Sequence, residues 1–316
     1  MRQIYKTALF AVLLSLLVLS AQASDKTLRI GYQKSSSLLI ILKGQETLEK
    51  SLAPLGVTVA WHEFTSGLPM VEALNVDALD LSADVADTVP IFAQAAGTEF
   101  TYFLQEKPSP TAEALVVPKN SPIKTVAELK GKKLAVAKAS GAHYLTVAAL
   151  TKAGLDFSKD IEVNFLQPAD ARTAFESGAV DAWTTWDPFL AAVEQQSGAR
   201  IIADGASAGV SYTRFYPVST RYLKDNPAVL AVVAEELTKV GQWVKANPEE
   251  AAKFHAPLVG LDLAIVKQAN NRRSYAVAKI DAEATAEQQK IADVFAGQNL
   301  LATRLEIKAV PVWAGK

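Results

Sequence analysis

Small hydroxyl residues and glycines recur in the turns that follow the predicted strands of this chain. Hydroxyls and the free N–H groups at the start of a helix can hold an oxyanion by hydrogen bonds without a counter-ion. This chemistry suits a group that stays ionised at every physiological pH, such as a sulfonate or a sulfate ester. For any single residue, capping of a helix is the better explanation, and only their joint placement indicates a ligand site. The candidate ligand-binding residues of this kind are Ser35, Ser66, Gly67, Ser82, Ser140 and Gly141.

Two tryptophans lie three residues apart at the end of one predicted strand, in the run W-T-T-W-D-P that starts at Trp183. If the strand stops between them, at least one indole should face a cleft, where it can cover an alkyl chain or donate its N–H to an anion. Packing in the core is the competing explanation, because tryptophan is highly buried on average. We predict that Trp186 is the ring in the cleft, with Tyr212 as a weaker aromatic candidate.

Charged side chains lie in or beside the same turns. Asp84 and Asp87 have two interpretations: they cap a helix, or they pair with the cationic end of a zwitterion such as taurine, and capping is favoured. Arg214 is the one cation near the end of a predicted crossing that can reach a ligand, although a surface or hinge role is the simpler expectation. His143 begins a predicted helix and can donate to an anion, with a solvated histidine as the alternative.

Enzyme hypotheses receive little support from the sequence. We expect no G-x-S-x-G nucleophile elbow, and there is no H-E-x-x-H, no Walker loop and no G-x-G-x-x-G. The three histidines, His62, His143 and His255, are too scattered to propose a metal site. A lyase would need a perturbed carboxylate in the cleft, for which Asp84 and Asp187 are the plausible sources. We therefore predict a protein that performs no chemistry and uses no cofactor.

Strand-like and helix-like segments alternate along the chain, in the βαβαβ order that is typical of a parallel sheet with helices on both faces. Ligands bind beyond the carboxyl ends of such strands, where the candidate turns lie. The predicted strands are 27–32, 57–64, 79–83, 100–104, 133–138, 161–166, 182–185, 200–203 and 216–219. The predicted helices are 38–52, 68–75, one that starts near residue 87, 125–130, 143–153, 169–177, 189–196 and several between 226 and 299.

Two polar segments interrupt this alternation. The proline-rich stretch 107–110 and the segment 204–213 are interpreted as crossings between domains. We therefore predict an α/β fold with two lobes around a ligand cleft, in which residues 24–112 plus 214–316 form lobe I and residues 113–213 form lobe II.

The first residues are typical of a secretory signal peptide. Arg2 and Lys6 precede an apolar run over 8–19, and Ala21 and Ala23 form an A-x-A type cleavage site, so residues 1–23 are predicted to be removed. Their removal changes the formal net charge from −1 to −3, which does not favour nucleic-acid binding. The chain has no cysteine and therefore no disulfide and no lipidated anchor. These features predict a periplasmic protein that is not membrane-spanning.

Six ordered segments, which span nearly the whole mature chain, resemble the periplasmic aliphatic sulfonate-binding proteins of ABC importers. They are LRIGYQK at 28–34, MVEALNV with LDL at 70–81, PIFAQAAG at 90–97, NSPIKTVAELKGKK at 120–133, PADARTAF at 168–175 and VDAWTTWDP at 180–188. This resemblance also supports Gln33 and Asp187 as cleft residues. The chain departs from the family's usual turn after the third strand, where it reads SADVADT without a glycine.

The resemblance implies a type II periplasmic-binding fold that captures a small organosulfur anion as a sulfur source. It further implies delivery to an ABC permease with a cytoplasmic ATPase, and a monomeric protein. A taurine, sulfate-ester or nitrate receptor is the alternative ligand assignment, and a periplasmic lyase on the same fold is the alternative class.

Overall fold

The computed structural model describes residues 26–315 as an α/β protein with two β-sheets. The predicted signal peptide lies outside the described residues. Within residues 26–315, no helix has the length and apolar character needed to cross a membrane.

The elements are numbered in chain order within the described residues. The strands are β1 (Lys26–Tyr32), β2 (Val57–Glu63), β3 (Leu81–Ser82), β4 (Val85–Ala86), β5 (Thr101–Glu106), β6 (Glu113–Val117), β7 (Lys133–Val136), β8 (Glu162–Phe165), β9 (Ala182–Trp186), β10 (Arg200–Asp204), β11 (Arg214–Val218) and β12 (Val277–Ala278). The α-helices are α1 (Ser37–Gln45), α2 (Thr47–Leu52), α3 (Gly67–Asn75), α4 (Thr88–Ala95), α5 (Gly141–Lys152), α6 (Pro168–Glu176), α7 (Phe189–Ser197), α8 (Gly205–Ala208), α9 (Thr220–Asp225), α10 (Pro227–Ala246), α11 (Pro248–Val259), α12 (Leu263–Arg272) and α13 (Ala282–Gly297). Short 3₁₀ helices cover Ala53–Leu55, Val126–Leu129 and Ile307–Ala309.

The first sheet has the strand order β12-β5-β11-β3-β1-β2, and β4 also pairs with β11. β1 is parallel to β2 and β3, as the βαβ order predicts. β11 runs antiparallel to β3 and β5, so the prediction of a parallel sheet is wrong for this strand. The reason is that β11 re-enters the sheet where β5 leaves it, with Arg214 at its start opposite Glu106 at the end of β5.

The second sheet has the order β10-β6-β9-β7-β8. β7 is parallel to β8 and β9, whereas β6 is antiparallel to its neighbours β9 and β10. The chain passes from the first sheet to the second between Glu106 and Glu113 and returns between Asp204 and Arg214. We call each sheet with its packed helices a lobe, and the predicted α/β fold with two crossings is confirmed.

One predicted helix is divided. The segment 38–52 forms α1 and α2, which meet at Glu46 with a left-handed φ of 55°. The N–H of Glu46 donates to the carbonyls of Leu42 and Lys43, which satisfies acceptors at the end of α1. No glycine or proline marks this position, so the break had no clear signal in the sequence.

Helix α10 forms part of the core of the first lobe. Its residues Leu230, Val233 and Leu237 are spaced by three and four residues and are fully buried, which is the pattern of a helix with one apolar face. The helix packs on α1 and α2, and its C-terminal end leads into α11 and α12. Burial of this face holds the C-terminal helices against the first sheet.

Replacement of Leu237 by alanine should lower the free energy of unfolding by about 2–5 kcal/mol, because it leaves a cavity in a close-packed core. The matched control is Leu258→Ala on α11, where the side chain is 46% exposed. Urea unfolding followed by circular dichroism measures both variants. Equal effects would show that α10 does not pack as described.

Candidate functional site

A small pocket of about 20 Å³ lies between the two lobes. The first lobe contributes the turns after β1, β2 and β4 and the start of β11, and the second lobe contributes the turn after β7 and the end of β9. The two lobes touch beside it, where Thr88 Oγ1 donates a hydrogen bond to the Ala139 carbonyl over 2.8 Å. The lining residues are Gln33, Ser66, Gly67, Leu68, Ala86, Val89, Lys138, Ala139, Ser140, Gly141, Trp186, Tyr212 and Arg214.

Two helices begin at this pocket, one from each lobe. Ser66 is the N-cap of α3, but its side chain makes no capping hydrogen bond. Ser140 is the N-cap of α5, and its Oγ accepts from the His143 N–H and donates to the Ala137 carbonyl. Helix starts present N–H groups and the positive end of the helix dipole, which favours an anion between them.

Arg214 is the buried cation of the pocket. It is 2% exposed, its Nη1 donates to Asp84 Oδ2 over 2.6 Å, and its Nη2 donates to the Tyr212 hydroxyl over 3.2 Å. Its Nε has no hydrogen-bond partner among the described residues. The exposed Lys138 also lines the pocket. The expectation of a site with almost no full positive charge is therefore wrong, as is a surface role for Arg214.

Arg214 belongs to a set of four charged side chains that we call the buried ion cluster: Asp84, Glu106, Arg214 and Arg273. Arg273 Nη2 donates to Asp84 Oδ2 over 2.8 Å and contacts Glu106 Oε2, and Glu106 also accepts from the Tyr216 hydroxyl. Burial raises the pKa of the Asp84 carboxyl, and the charges of Arg214 and Arg273 oppose that rise. Asp84 does not line the pocket. Its carboxylate forms ion pairs with both guanidinium groups, those of Arg214 and Arg273.

Two more buried carboxyl groups lie behind the pocket. Asp87 accepts from the Thr88 N–H at the start of α4, and burial raises its pKa to about 7. Burial, followed by the charge of Asp87, raises the pKa of Glu113 well above its ordinary value. Gly141 is required here, because a Cβ on it would lie 2.6 Å from both Glu113 Oε2 and the Tyr212 ring. Asp87 is thus a helix cap, and neither carboxyl lines the pocket.

Three other predicted residues lie near the pocket without lining it. The Ser35 hydroxyl accepts from Arg214, and Ser82 donates to Met70 Sδ. Asp187 caps α7 by accepting the Ala191 N–H over 3.0 Å. Each of these side chains forms a hydrogen bond to another part of the protein. The prediction that they line the pocket is therefore wrong.

His143 is the clearest misplacement. Its ring packs against Phe92 and Phe295 of the first lobe, and its Nδ1 accepts the Ala139 N–H over 3.3 Å. Burial lowers the pKa of His143 to about 4, so the imidazole is neutral at pH 7. It is neither a solvated histidine nor a lining residue, because the other lobe covers the start of α5.

Eight of the predicted residues do line the pocket: Gln33, Ser66, Gly67, Ser140, Gly141, Trp186, Tyr212 and Arg214. The lining residues that were missed are Leu68, Ala86, Val89, Lys138 and Ala139. Lys138 and Ala139 lie between the end of β7 and Ser140, which is a usable positional signal. Ala139 and Tyr212 both have left-handed backbones, with φ of 60° and 52°. Such conformations in residues other than glycine cost about 1–3 kcal/mol and cluster at functional sites.

Residues 205–209 carry a sequence pattern that is known from hydrolases. They read G-A-S-A-G, so the expectation that the chain lacks the G-x-S-x-G pattern of hydrolase nucleophile turns is wrong. Ser207 is exposed, and its hydroxyl serves the capping box of α8 with Asp204. It lies outside the pocket and does not act as a nucleophile there.

Comparison with known proteins gives a consistent result. Residues 64–251 match the family described as NMT1/THI5 like. A protein of Escherichia coli K12 named for aliphatic sulfonate binding is 38% identical over 98% of this chain and 96% of its own length.

Two solved structures extend the comparison. The alkanesulfonate-binding protein SsuA from Xanthomonas axonopodis pv. citri bound to MOPS has a TM-score of 0.86 and 36% identity, and covers 92% of this chain and 99% of that one. The periplasmic aliphatic sulphonate binding protein SsuA from E. coli has a TM-score of 0.81 and 38% identity, and 92% of each chain is covered.

The raised pKa of Asp87 predicts a pH-dependent stability. The folded protein keeps a proton on Asp87 up to about pH 7, whereas the unfolded chain releases it near pH 4, so this group lowers stability as the pH rises between these values. The asparagine of Asp87→Asn does not titrate. We expect the difference in free energy of unfolding between this variant and the original protein to shift in favour of the variant by roughly 3–4 kcal/mol as the pH rises from about 4 to about 7.

Urea unfolding at a series of pH values measures this difference. Asp170→Asn, at an exposed position in the first turn of α6, is the control for the substitution itself. A difference between Asp87→Asn and the original protein that does not change with pH would contradict the prediction.

Proposed function

This chain belongs to the NMT1/THI5-like family and, within it, to the aliphatic sulfonate-binding proteins, and we propose that it is the substrate-binding protein of an ABC importer for small sulfonate anions. The observation that carries this proposal is the pocket around Arg214. It combines one buried guanidinium with an unpartnered Nε–H and two helix starts, and among residues 26–315 no Asp or Glu side chain lines it.

The chemistry of this lining suits a sulfonate. A sulfonate is permanently ionised and has only acceptor oxygens, so it needs donors and is repelled by carboxylates. Arg214, the Ser66 hydroxyl and the N–H groups at the starts of α3 and α5 are donors of this kind. In the proposed complex they hold the sulfonate oxygens, and the exposed Lys138 attracts the anion to the pocket.

Trp186 supports the proposal that the ligand carries an organic tail. Trp186 lines the pocket and is 5% exposed, and its ring packs edge to face on Phe189. Leu68 and Val89 line the pocket from the first lobe. In the proposed complex the alkyl chain lies against these apolar groups, and contacts to both lobes favour the closed arrangement.

The proposed setting is the periplasm, which agrees with the description of the E. coli SsuA structure as periplasmic. We propose export by the leader over residues 1–23, capture of the anion by a monomer and delivery to a membrane permease with a cytoplasmic ATPase. The relatives are named as binding proteins, so the alternative of a lyase on the same fold loses its support.

Trp186→Ala should weaken alkanesulfonate binding by about 1–3 kcal/mol, because it removes apolar surface that covers the ligand. The matched control is Trp183→Ala in the same strand, whose ring packs in the core against Phe175 and lies outside the pocket. That variant should lose stability while the folded fraction keeps its affinity. Calorimetric titration with thermal unfolding measures both quantities, and unchanged affinity in Trp186→Ala would contradict the proposed role.

The lining also predicts the preferred ligand. The ammonium group of taurine would be desolvated near Arg214 without a lining carboxylate as partner, which is costly. We expect ethanesulfonate to bind with micromolar or tighter affinity, about −8 kcal/mol, and taurine to bind at least about ten-fold more weakly.

The experiment is calorimetric titration of refolded, ligand-stripped protein with ethanesulfonate, taurine, a sulfate ester, sulfate and nitrate. Tighter binding of taurine would assign the chain to the taurine alternative. Heat only from the sulfate ester, sulfate or nitrate would overturn the sulfonate assignment and keep a receptor role.

A further inference from the structure

Helix α12 ends at Arg272 and is followed by Arg273, and the side chains of these two arginines bind opposite lobes. Arg273 reaches into the buried ion cluster of the first lobe, where it contacts Asp84 and Glu106. Arg272 reaches across to α7 of the second lobe, where its Nη2 lies 2.6 Å from Glu194 Oε2 and its Nη1 lies 3.4 Å from Asp187 Oδ1. The end of one helix therefore connects the two lobes.

The contact between α7 and α12, which we call the α7–α12 seam, is more than one ion pair. Glu194 Oε2 also accepts from Gln268 Nε2 over 2.9 Å, and Gln195 Nε2 donates to Gln268 Oε1 over 2.6 Å. Beside these polar groups, small and apolar side chains pack together: Ala191, Ala192, Ile265 and Ala269. The seam thus has a buried apolar centre with a polar edge.

The seam continues directly into the pocket on its second-lobe side. Asp187 follows Trp186, the ring that lines the pocket, and caps the first turn of α7. Arg272 contacts this same carboxylate. The position of α7 relative to α12 is thereby tied to the position of the indole.

The seam is also tied to the pocket on its first-lobe side. Arg273 and Arg214 donate to the same oxygen, Asp84 Oδ2, and both donate to the Ser35 carbonyl. A shift of Arg273 would change the number of charges that Asp84 compensates and would leave buried charge unpaired. The place of Arg273 and that of Arg214 therefore depend on each other.

We propose that Arg272 and Arg273 are positioning residues that couple closure of the lobes to the Arg214 anion site. Arg273 fixes the end of α12 to the ion cluster, and Arg272 binds the second lobe only when α7 has closed onto that end. The inference rests on the proposed function, because it takes the pocket around Arg214 as the anion site.

The first test is a double-mutant cycle with Arg272→Gln, Glu194→Gln and the combination, with ethanesulfonate as the ligand. The control is Arg172→Gln, which removes an ion pair with Glu176 inside the second lobe. We expect Arg272→Gln to raise Kd about three- to ten-fold through faster dissociation, with little further change in the double variant. An effect no larger than that of the control, or fully additive effects, would overturn the role of Arg272.

Closure is measured separately by small-angle X-ray scattering. Without ligand, Arg272→Gln should have a larger radius of gyration than the original protein and the Arg172→Gln control. Equal radii would overturn the proposal. This measurement needs no sulfonate, so it distinguishes failure of the seam from failure of the proposed function, which would instead show as no binding of ethanesulfonate to the original protein.

The role of Arg273 is tested by repeating the Arg272→Gln comparison in an Arg273→Lys background. Lysine keeps the charge but loses the fork that reaches Asp84 and Glu106 together. We expect the effect of Arg272→Gln on Kd to fall below two-fold there, because the end of α12 is no longer fixed. The same three- to ten-fold effect in both backgrounds would overturn the coupling through Arg273.

Discussion

Burial of two arginines and two carboxylates beneath one pocket is the constraint on which the first lobe depends. An unpaired buried charge costs several kcal/mol, so the four groups of the ion cluster are stable only together. Asp84 follows β3, Glu106 ends β5, Arg214 begins β11 and Arg273 follows α12. Three strands and a helix must therefore meet at one point, and the return of the chain as β11 beside β5 brings this about. The same constraint fixes the guanidinium of Arg214 before any ligand arrives.

The charges of this cluster balance, and that balance shapes the site. Two guanidinium groups face two carboxylates, while burial favours the neutral forms of Asp87 and Glu113 by raising the pKa of each. The donors that line the pocket are Arg214, the N–H groups at the starts of α3 and α5, and Lys138. Such a site provides directed hydrogen bonds without a large excess of positive charge. A large excess of positive charge would bind any small anion, whereas directed hydrogen bonds depend on the shape of the ligand.

Much of the site could be predicted from sequence because parallel strands end at a common edge, so the turns after them meet. That rule located Gln33, Ser66, Ser140 and Trp186. It could not locate the partners of Arg214, since Asp84 lies 130 residues away and Arg273 lies at the end of a helix outside any predicted turn. It also failed for His143, because Phe92 and Phe295 cover the start of α5 from the other lobe. Local pattern indicates where strands end, whereas contacts between lobes and ion pairs depend on distant parts of the chain.

The two N-cap serines show why residue type alone does not identify a ligand contact. The Ser140 hydroxyl is occupied, because it accepts from the His143 N–H and donates to the Ala137 carbonyl. Ser66 makes no capping bond, so its hydroxyl is available to the pocket. An available hydroxyl and a free guanidinium N–H therefore both belong to the first lobe, while the second lobe offers backbone N–H groups and an indole. Both lobes thus offer donors and apolar groups, because Leu68 and Val89 of the first lobe line the pocket as well. A ligand with an anionic head and an apolar tail contacts the two lobes together.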